Sequence, residues 1–172
     1  MDIVRLPDNE AALRRFIETL WLPYSREREA HIDGFALAED VDLVAEELEH
    51  RLSRHETESY RAWVAIDGIH DATRLVDTDA EFVGFVTTDI DESPSVFDRP
   101  DRLVIGDIYV LERHRGTGLA RELIDRARTR ARESGCAEMR LEVDVGNDRA
   151  LAFYEKVGFE TMRYTMSVSV SS

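Results

Sequence analysis

The chain has 172 residues, 34% of them charged, with a formal net charge of −14 and one cysteine. That length suits a single domain burying about two thirds of its surface, and the acidic excess disfavours a nucleic-acid partner while attracting cationic amines. A lone Cys136 rules out an intramolecular disulfide, and the lack of a basic-then-apolar leader or a long apolar run predicts no signal peptide, no membrane association and a cytoplasmic location.

Residues 1 to 6 read as a short strand. Asp8 is expected to cap a helix whose Leu13, Phe16, Ile17, Leu20 and Trp21 share one apolar face, with Pro23 as its stop. A second helix, roughly 37 to 54, would turn Leu37, Val41, Val44, Leu48 and Leu52 inward. His50 and His55 do not share a helix face and no cysteine cluster occurs, so no metal is expected. Strands follow at about 61 to 67 and 81 to 89, joined by a long hairpin loop.

The stretch from Asp107 to Phe159 carries the chemistry. Within strand 103 to 111, Leu103 and Ile105 lie in one phase and Ile108 and Val110 in the other, so a bulge is predicted at Gly106-Asp107. Arg113, Arg115, Gly116 and Gly118 end the strand, and from Leu119 the period becomes helical. Leu119, Leu123, Ile124, Ala127 and Ala131 form its apolar stripe, and Gly135 closes it.

Two glycines at a helix mouth let backbone approach a ligand and leave N–H groups aimed at an anion such as phosphate. Arg113 and Arg115 could add positive charge, although a plain Gly-rich turn with solvated arginines explains the same letters. A dinucleotide fingerprint fails because Arg121 stands where its third glycine belongs, and a P-loop fails for want of Gly-Lys-Ser/Thr.

Ala137, Met139, Leu141 and Val143 then alternate with charged residues as a strand, and Cys136 before them reads as a small core residue. Asn147 is the expected N-cap of a helix with Ala150, Phe153, Tyr154 and Val157 on one face and Gly158 as its stop. From Met162 to Val170 apolar residues alternate with Arg163, Thr165, Ser167 and Ser169, which predicts a last strand.

Arg113-His114-Arg115-Gly116-Thr117-Gly118 resembles the Gln/Arg-x-x-Gly-x-Gly/Ala signature of the GNAT superfamily of N-acetyltransferases, and Leu141-Glu142-Val143, Asn147, Ala150, Phe153-Tyr154 and Gly158-Phe159 resemble the second half of its core. The resemblance implies a single α/β domain over 1–172, a twisted mixed sheet of about six to seven strands flanked by four helices. Its parts would be an acceptor-side region (1–100), an acyl-CoA-binding core (101–160) and a C-terminal strand (161–172).

For the site, the resemblance implies acetyl-CoA as cosubstrate, its pyrophosphate on the amides of Arg115, Gly116, Thr117, Gly118, Leu119 and Ala120. The pantetheine would run beside Ile108, Tyr109 and Val110, with Asn147 contacting the cofactor. Tyr154 takes the position of the general acid that protonates the leaving thiolate, and the Val110 N–H that of an oxyanion donor. Asp107, interrupting an apolar strand beside the expected carbonyl, is the candidate acceptor of the amine proton. A half-buried aromatic alone would also account for Tyr154, and an arginine partner for Asp107.

The resemblance also implies that Trp21, Tyr24 and Phe35 line the pocket of the acceptor, a small amine or a peptide N-terminus, although core packing explains Trp21 equally well; a homodimer is compatible with the reading. The competing class is a non-catalytic acyl-CoA-binding sensor or interaction module. Arginine far outnumbers lysine, present only as Lys156, a pattern that fits both a salt-loaded (halophilic) cytoplasm with an acidic protein surface and a GC-rich genome.

Overall fold

The computed structural model describes residues 1–68 and 80–171, so the hairpin loop expected between the second and third strands lies largely outside the described residues. By backbone contacts the chain divides into a first unit, Met1–Glu142, and a second, Val143–Ser172.

In the first unit, β1 (Asp2–Arg5), β2 (Arg61–Asp67), β3 (Glu81–Asp91), β4 (Arg102–Val110) and β5 (Glu138–Arg140) form one sheet in the order β1-β2-β3-β4-β5. The first three pairings are antiparallel and β4 with β5 is parallel, reached through α4 (Leu119–Glu133). The α/β class is as expected. The sheet has five strands among the described residues rather than six or seven, because residues 160–171, where alternation predicts a last strand, form none.

Both faces of the sheet are covered, which is why β2 and β3 read as near-continuous apolar runs. On one face Ala62, Val64, Ile66, Phe82 and Phe85 pack with Leu13, Phe16, Ile17, Leu20 and Leu48 of the N-terminal helices. On the other lies α4, whose predicted stripe of Leu119, Leu123, Ile124, Ala127 and Ala131 is buried. Arg130 shares that burial at 2% exposure, donating to the carbonyls of Thr88 and Ser59, with Trp63 beside its guanidinium. Burial, and then Arg61, push this guanidinium down to about 10.

The helical face departs from expectation in two places. Asn9, not Asp8, caps α1 (Glu10–Phe16), its Oδ1 accepting from the Ala12 N–H at 2.8 Å. Pro23 does not stop the helix: a π turn over Ile17–Trp21 carries the chain into α2 (Leu22–His31), where Pro23 sits in the first turn. At that position its missing N–H costs little, so the proline is compatible with helix. The next helix, α3 (Leu43–His55), begins later than 37 because Asp42 accepts from the Ala45 N–H and fixes the start. Leu37 and Val41 therefore lie outside it.

In the second unit Asn147 caps α5 (Asp148–Lys156) as predicted, accepting from the Ala150 N–H at 3.2 Å, and Gly158 follows with φ of +101°. The strand predicted at 162 to 170 is absent: Met162, Tyr164, Met166, Val168 and Val170 are 61–96% exposed. Alternation gives a segment the period of a strand, yet a strand also requires a ladder of partners, and no pairing involves this segment.

Candidate functional site

The predicted bulge is present. Val86 pairs with Ile108 and Thr88 with Ile105, so Gly106 and Asp107 together oppose Thr87. The Asp107 N–H donates to Thr87 Oγ1 at 2.8 Å, and a Cβ on Gly106 would come within 2.8 Å of the same oxygen. Sequence thus dictates the kink: a hydroxyl holds it and only a glycine fits against that hydroxyl.

Beyond the bulge β4 loses its parallel partner, since β5 pairs only with Arg102, Leu103 and Val104. The Leu111 N–H donates to the Val83 carbonyl across β3, and alternation along a strand then turns the Val110 N–H to the opposite edge, on the side where pairing with β5 has ended.

The bulge also re-aims Asp107 toward the helices. Asp107 Oδ1 accepts from Tyr24 Oη at 3.0 Å, Arg51 Nη2 stands 3.6 Å from Oδ2, and Arg28 Nη1 stands 3.9 Å from Oδ1. Arg51 is 5% exposed and also donates to Tyr60 Oη at 2.7 Å and to Glu47. Burial opposes its charge, but Tyr60, Glu47 and Asp107 outweigh that and push its pKa up. Tyr109, on the same face, sits against Tyr24 and Phe85 at ring separations of 5.5 and 6.3 Å; burial, then Glu27, push its phenol up.

At the other end of the loop, Gly116 and Gly118 have φ of +78° and +93°, and a Cβ on either would meet no atom within 4 Å. No side chain caps α4; the Thr117 hydroxyl instead donates back to the His114 carbonyl. The first bond of the helix runs from Glu122 N–H to Gly118 carbonyl, which leaves the amides of Leu119, Ala120 and Arg121 without intrahelical acceptors. The donors, the dipole and the open space fit a pyrophosphate. The flanking guanidinium groups are less free than the sequence suggested: Arg115 donates to Glu27 at 2.6 Å and to the Val110 carbonyl at 2.9 Å, and Arg113 pairs with Glu81.

Asp107 to Val110 and Arg115 to Ala120 thus lie on one strand-loop-helix of the first unit, while Asn147 and Tyr154 belong to the second. There Tyr154 is half-buried between Phe153 and Phe159, at ring separations of 5.4 and 5.8 Å. Of the expected acceptor-side aromatics, Tyr24 and Phe35 bracket Arg28, whereas Trp21 packs on the core. Arg28 and Arg51 were missed. Arg51 had a signal, an arginine three residues after Leu48 on the inward face of its helix; Arg28 had none. Among the described residues no group of metal-binding side chains occurs, and no helix is long and apolar enough to cross a membrane.

A bulged strand thus parts from its parallel neighbour and leads through a glycine loop into an uncapped helix. The profile of the Acetyltransferase (GNAT) family matches residues 41–159, and the chain belongs to that family. Over 55 residues it is 46% identical to N-alpha-acetyltransferase MAK3 of Arabidopsis thaliana, a match spanning 32% of this chain and 29% of that protein. A Bacillus halodurans protein shares the fold with a TM-score of 0.76 at 19% identity, covering 99% of this chain and 100% of the other. An aminoglycoside antibiotic 6'-N-acetyltransferase from Acinetobacter haemolyticus gives 0.68 at 19% identity, covering 100% and 99%. A ribosomal-protein-alanine N-acetyltransferase from Brucella melitensis gives 0.67 at 21%, covering 98% and 99%.

Proposed function

We propose that the protein is a cytoplasmic N-acetyltransferase that moves an acetyl group from acetyl-CoA to the primary amine of a small molecule or peptide by direct attack. The observation that carries this reading is the uncapped, glycine-lined mouth of α4 following a bulged β4, in a chain of the GNAT family.

In this reading the amides from Arg115 to Ala120 hold the pyrophosphate, Asn147 contacts the cofactor, and the pantetheine runs along Ile108, Tyr109 and Val110. The Val110 N–H donates to the thioester oxygen, where negative charge develops as the amine attacks. Asp107 receives the amine proton, directly or through water. Tyr154 gives its phenolic proton to the thiolate as the tetrahedral intermediate collapses, leaving amide product and free coenzyme A.

Tyr154→Phe keeps the ring and removes the acid. Turnover of acetyl-CoA with the best amine, read as free thiol, is expected to fall by about 10²-fold or more while acetyl-CoA affinity changes by no more than a few fold. Full turnover in the variant would remove this role, and no turnover by the unmodified protein with any amine would favour a non-catalytic acyl-CoA sensor.

A further inference from the structure

The guanidinium of Arg28 has five N–H donors, and among the described residues it forms a 3.9 Å ion pair with Asp107. Its guanidinium carbon lies 3.5 Å from the centroid of Phe35 and 5.1 Å from that of Tyr24, and its side chain is 28% exposed. A guanidinium held against aromatic rings by cation–π attraction can still donate from its N–H groups to a planar anion. The placement is built rather than incidental. Glu29 Oε1 accepts from the Leu37 N–H at 3.0 Å, which ties the segment bearing Phe35 back onto α2, and Tyr24 is one helical turn before Arg28.

Asp107 forms its ion pair with Arg28 at 3.9 Å, beyond hydrogen-bond reach; Asp107 Oδ1 accepts from Tyr24 and Oδ2 stands nearer to Arg51, at 3.6 Å. Glu29 is likewise engaged by Arg26 and Leu37, whose hydrogen bonds, the latter first, hold its carboxyl below the usual range. So the wall holds a half-buried cation whose ion pair with Asp107, at 3.9 Å, is too long for a hydrogen bond, and it stands next to the carboxylate assigned to the reacting amine.

We propose that Arg28 selects the acceptor by binding a carboxylate carried on the same small molecule as the reacting amine. This rests on the acetyltransferase reading and narrows it: with Asp107 and Arg28 so close, the ammonium and carboxylate of the acceptor lie only a few ångströms apart, as in a free amino acid. A bidentate arginine–carboxylate pair supplies both the energy and the orientation that bring the amine toward the thioester. Cationic amines without a carboxylate, such as polyamines, leave Arg28 with only its long contact to Asp107 and are the poorer acceptors.

The test uses matched acceptors, free amino acids against their carboxamides and their decarboxylated amines, with the full-length protein. The carboxylate form is expected to exceed its carboxamide by at least tenfold in kcat/KM, chiefly through KM. Arg28→Gln is expected to bring that ratio to near one, and Arg28→Lys to recover part of it. Equal use of the pair by the unmodified protein, or an unchanged ratio in Arg28→Gln, would overturn the proposal. Binding of the same compounds, followed by protein NMR shifts, gives a readout that needs no turnover. If nothing is acetylated but carboxylates still bind better than carboxamides through Arg28, the reaction fails and the anion site stands; if both bind alike, the anion site falls.

Discussion

At the bulge of β4 the polar groups are met by side chains: the Asp107 N–H by Thr87, its carboxylate by Tyr24 and Arg51. At the mouth of α4 no side chain caps the helix, and the two glycines face open space. The first arrangement fixes one side chain in one place; the second keeps backbone donors available to something outside the chain. A site that must recognise a constant phosphate can be made of amides, which among point substitutions only a proline removes, whereas recognition of a particular amine needs side chains that sequence can vary.

The comparison breaks most visibly at Asp107. In Asp107→Asn the shape and the Tyr24 contact survive but the proton acceptor does not, so turnover is expected to drop by about 10²-fold with acetyl-CoA binding within a few fold. Undiminished turnover would reduce Asp107 to a partner for arginines. At the open end, Gly118→Val should weaken acetyl-CoA binding at least tenfold, or about 1.4 kcal/mol. Calorimetric titration of the folded variant checks this, and an unchanged dissociation constant would mean the mouth is not the cofactor cradle.

A closed glycine sharpens the contrast. A Cβ on Gly84 would lie 2.9 Å from the Tyr109 carbonyl, so Gly84→Ala should cost about 1–3 kcal/mol in chemical denaturation by forcing β3 from β4. The smallest effect concerns His55, whose Nε2 is buried without a hydrogen-bond partner among the described residues. Burial, ahead of the nearby charges, depresses its pKa below 6.5. The unfolded chain therefore takes up a proton first, and stability is lost as pH falls from about 6.5 through the folded-state value. Melting temperatures between pH 7.5 and 5.5 should slope less steeply in His55→Gln; identical slopes would place the titration elsewhere.

The strand-loop-helix was legible because its signals are local: a phase switch at Gly106-Asp107, two glycines, an apolar stripe and Gly135. The caps at Asn147 and Gly158 were legible for the same reason. The surroundings of Asp107 were not, since Tyr24, Arg28 and Arg51 come to it from helices far away in sequence, and no spacing encodes that approach. Pro23 misled because a proline forbids a helix interior but suits a first turn, and which applies depends on a π turn that leaves no pattern of its own. Alternation at 162 to 170 misled because it records a period and not a partner.

That π turn at Ile17–Trp21 has a consequence for how acceptor preference changes. Widening one helical turn amounts to adding a residue, and each residue turns an α-helix by about 100°. Removing one residue there would rotate α2 about its own axis, swinging Tyr24 and Arg28 away from Asp107 and bringing another edge of α2 to the amine. A single in-frame codon deletion, with no substitution anywhere in the wall, would then exchange one acceptor-reading surface for another, and would also draw Glu27 off Arg115 at the edge of the α4 mouth.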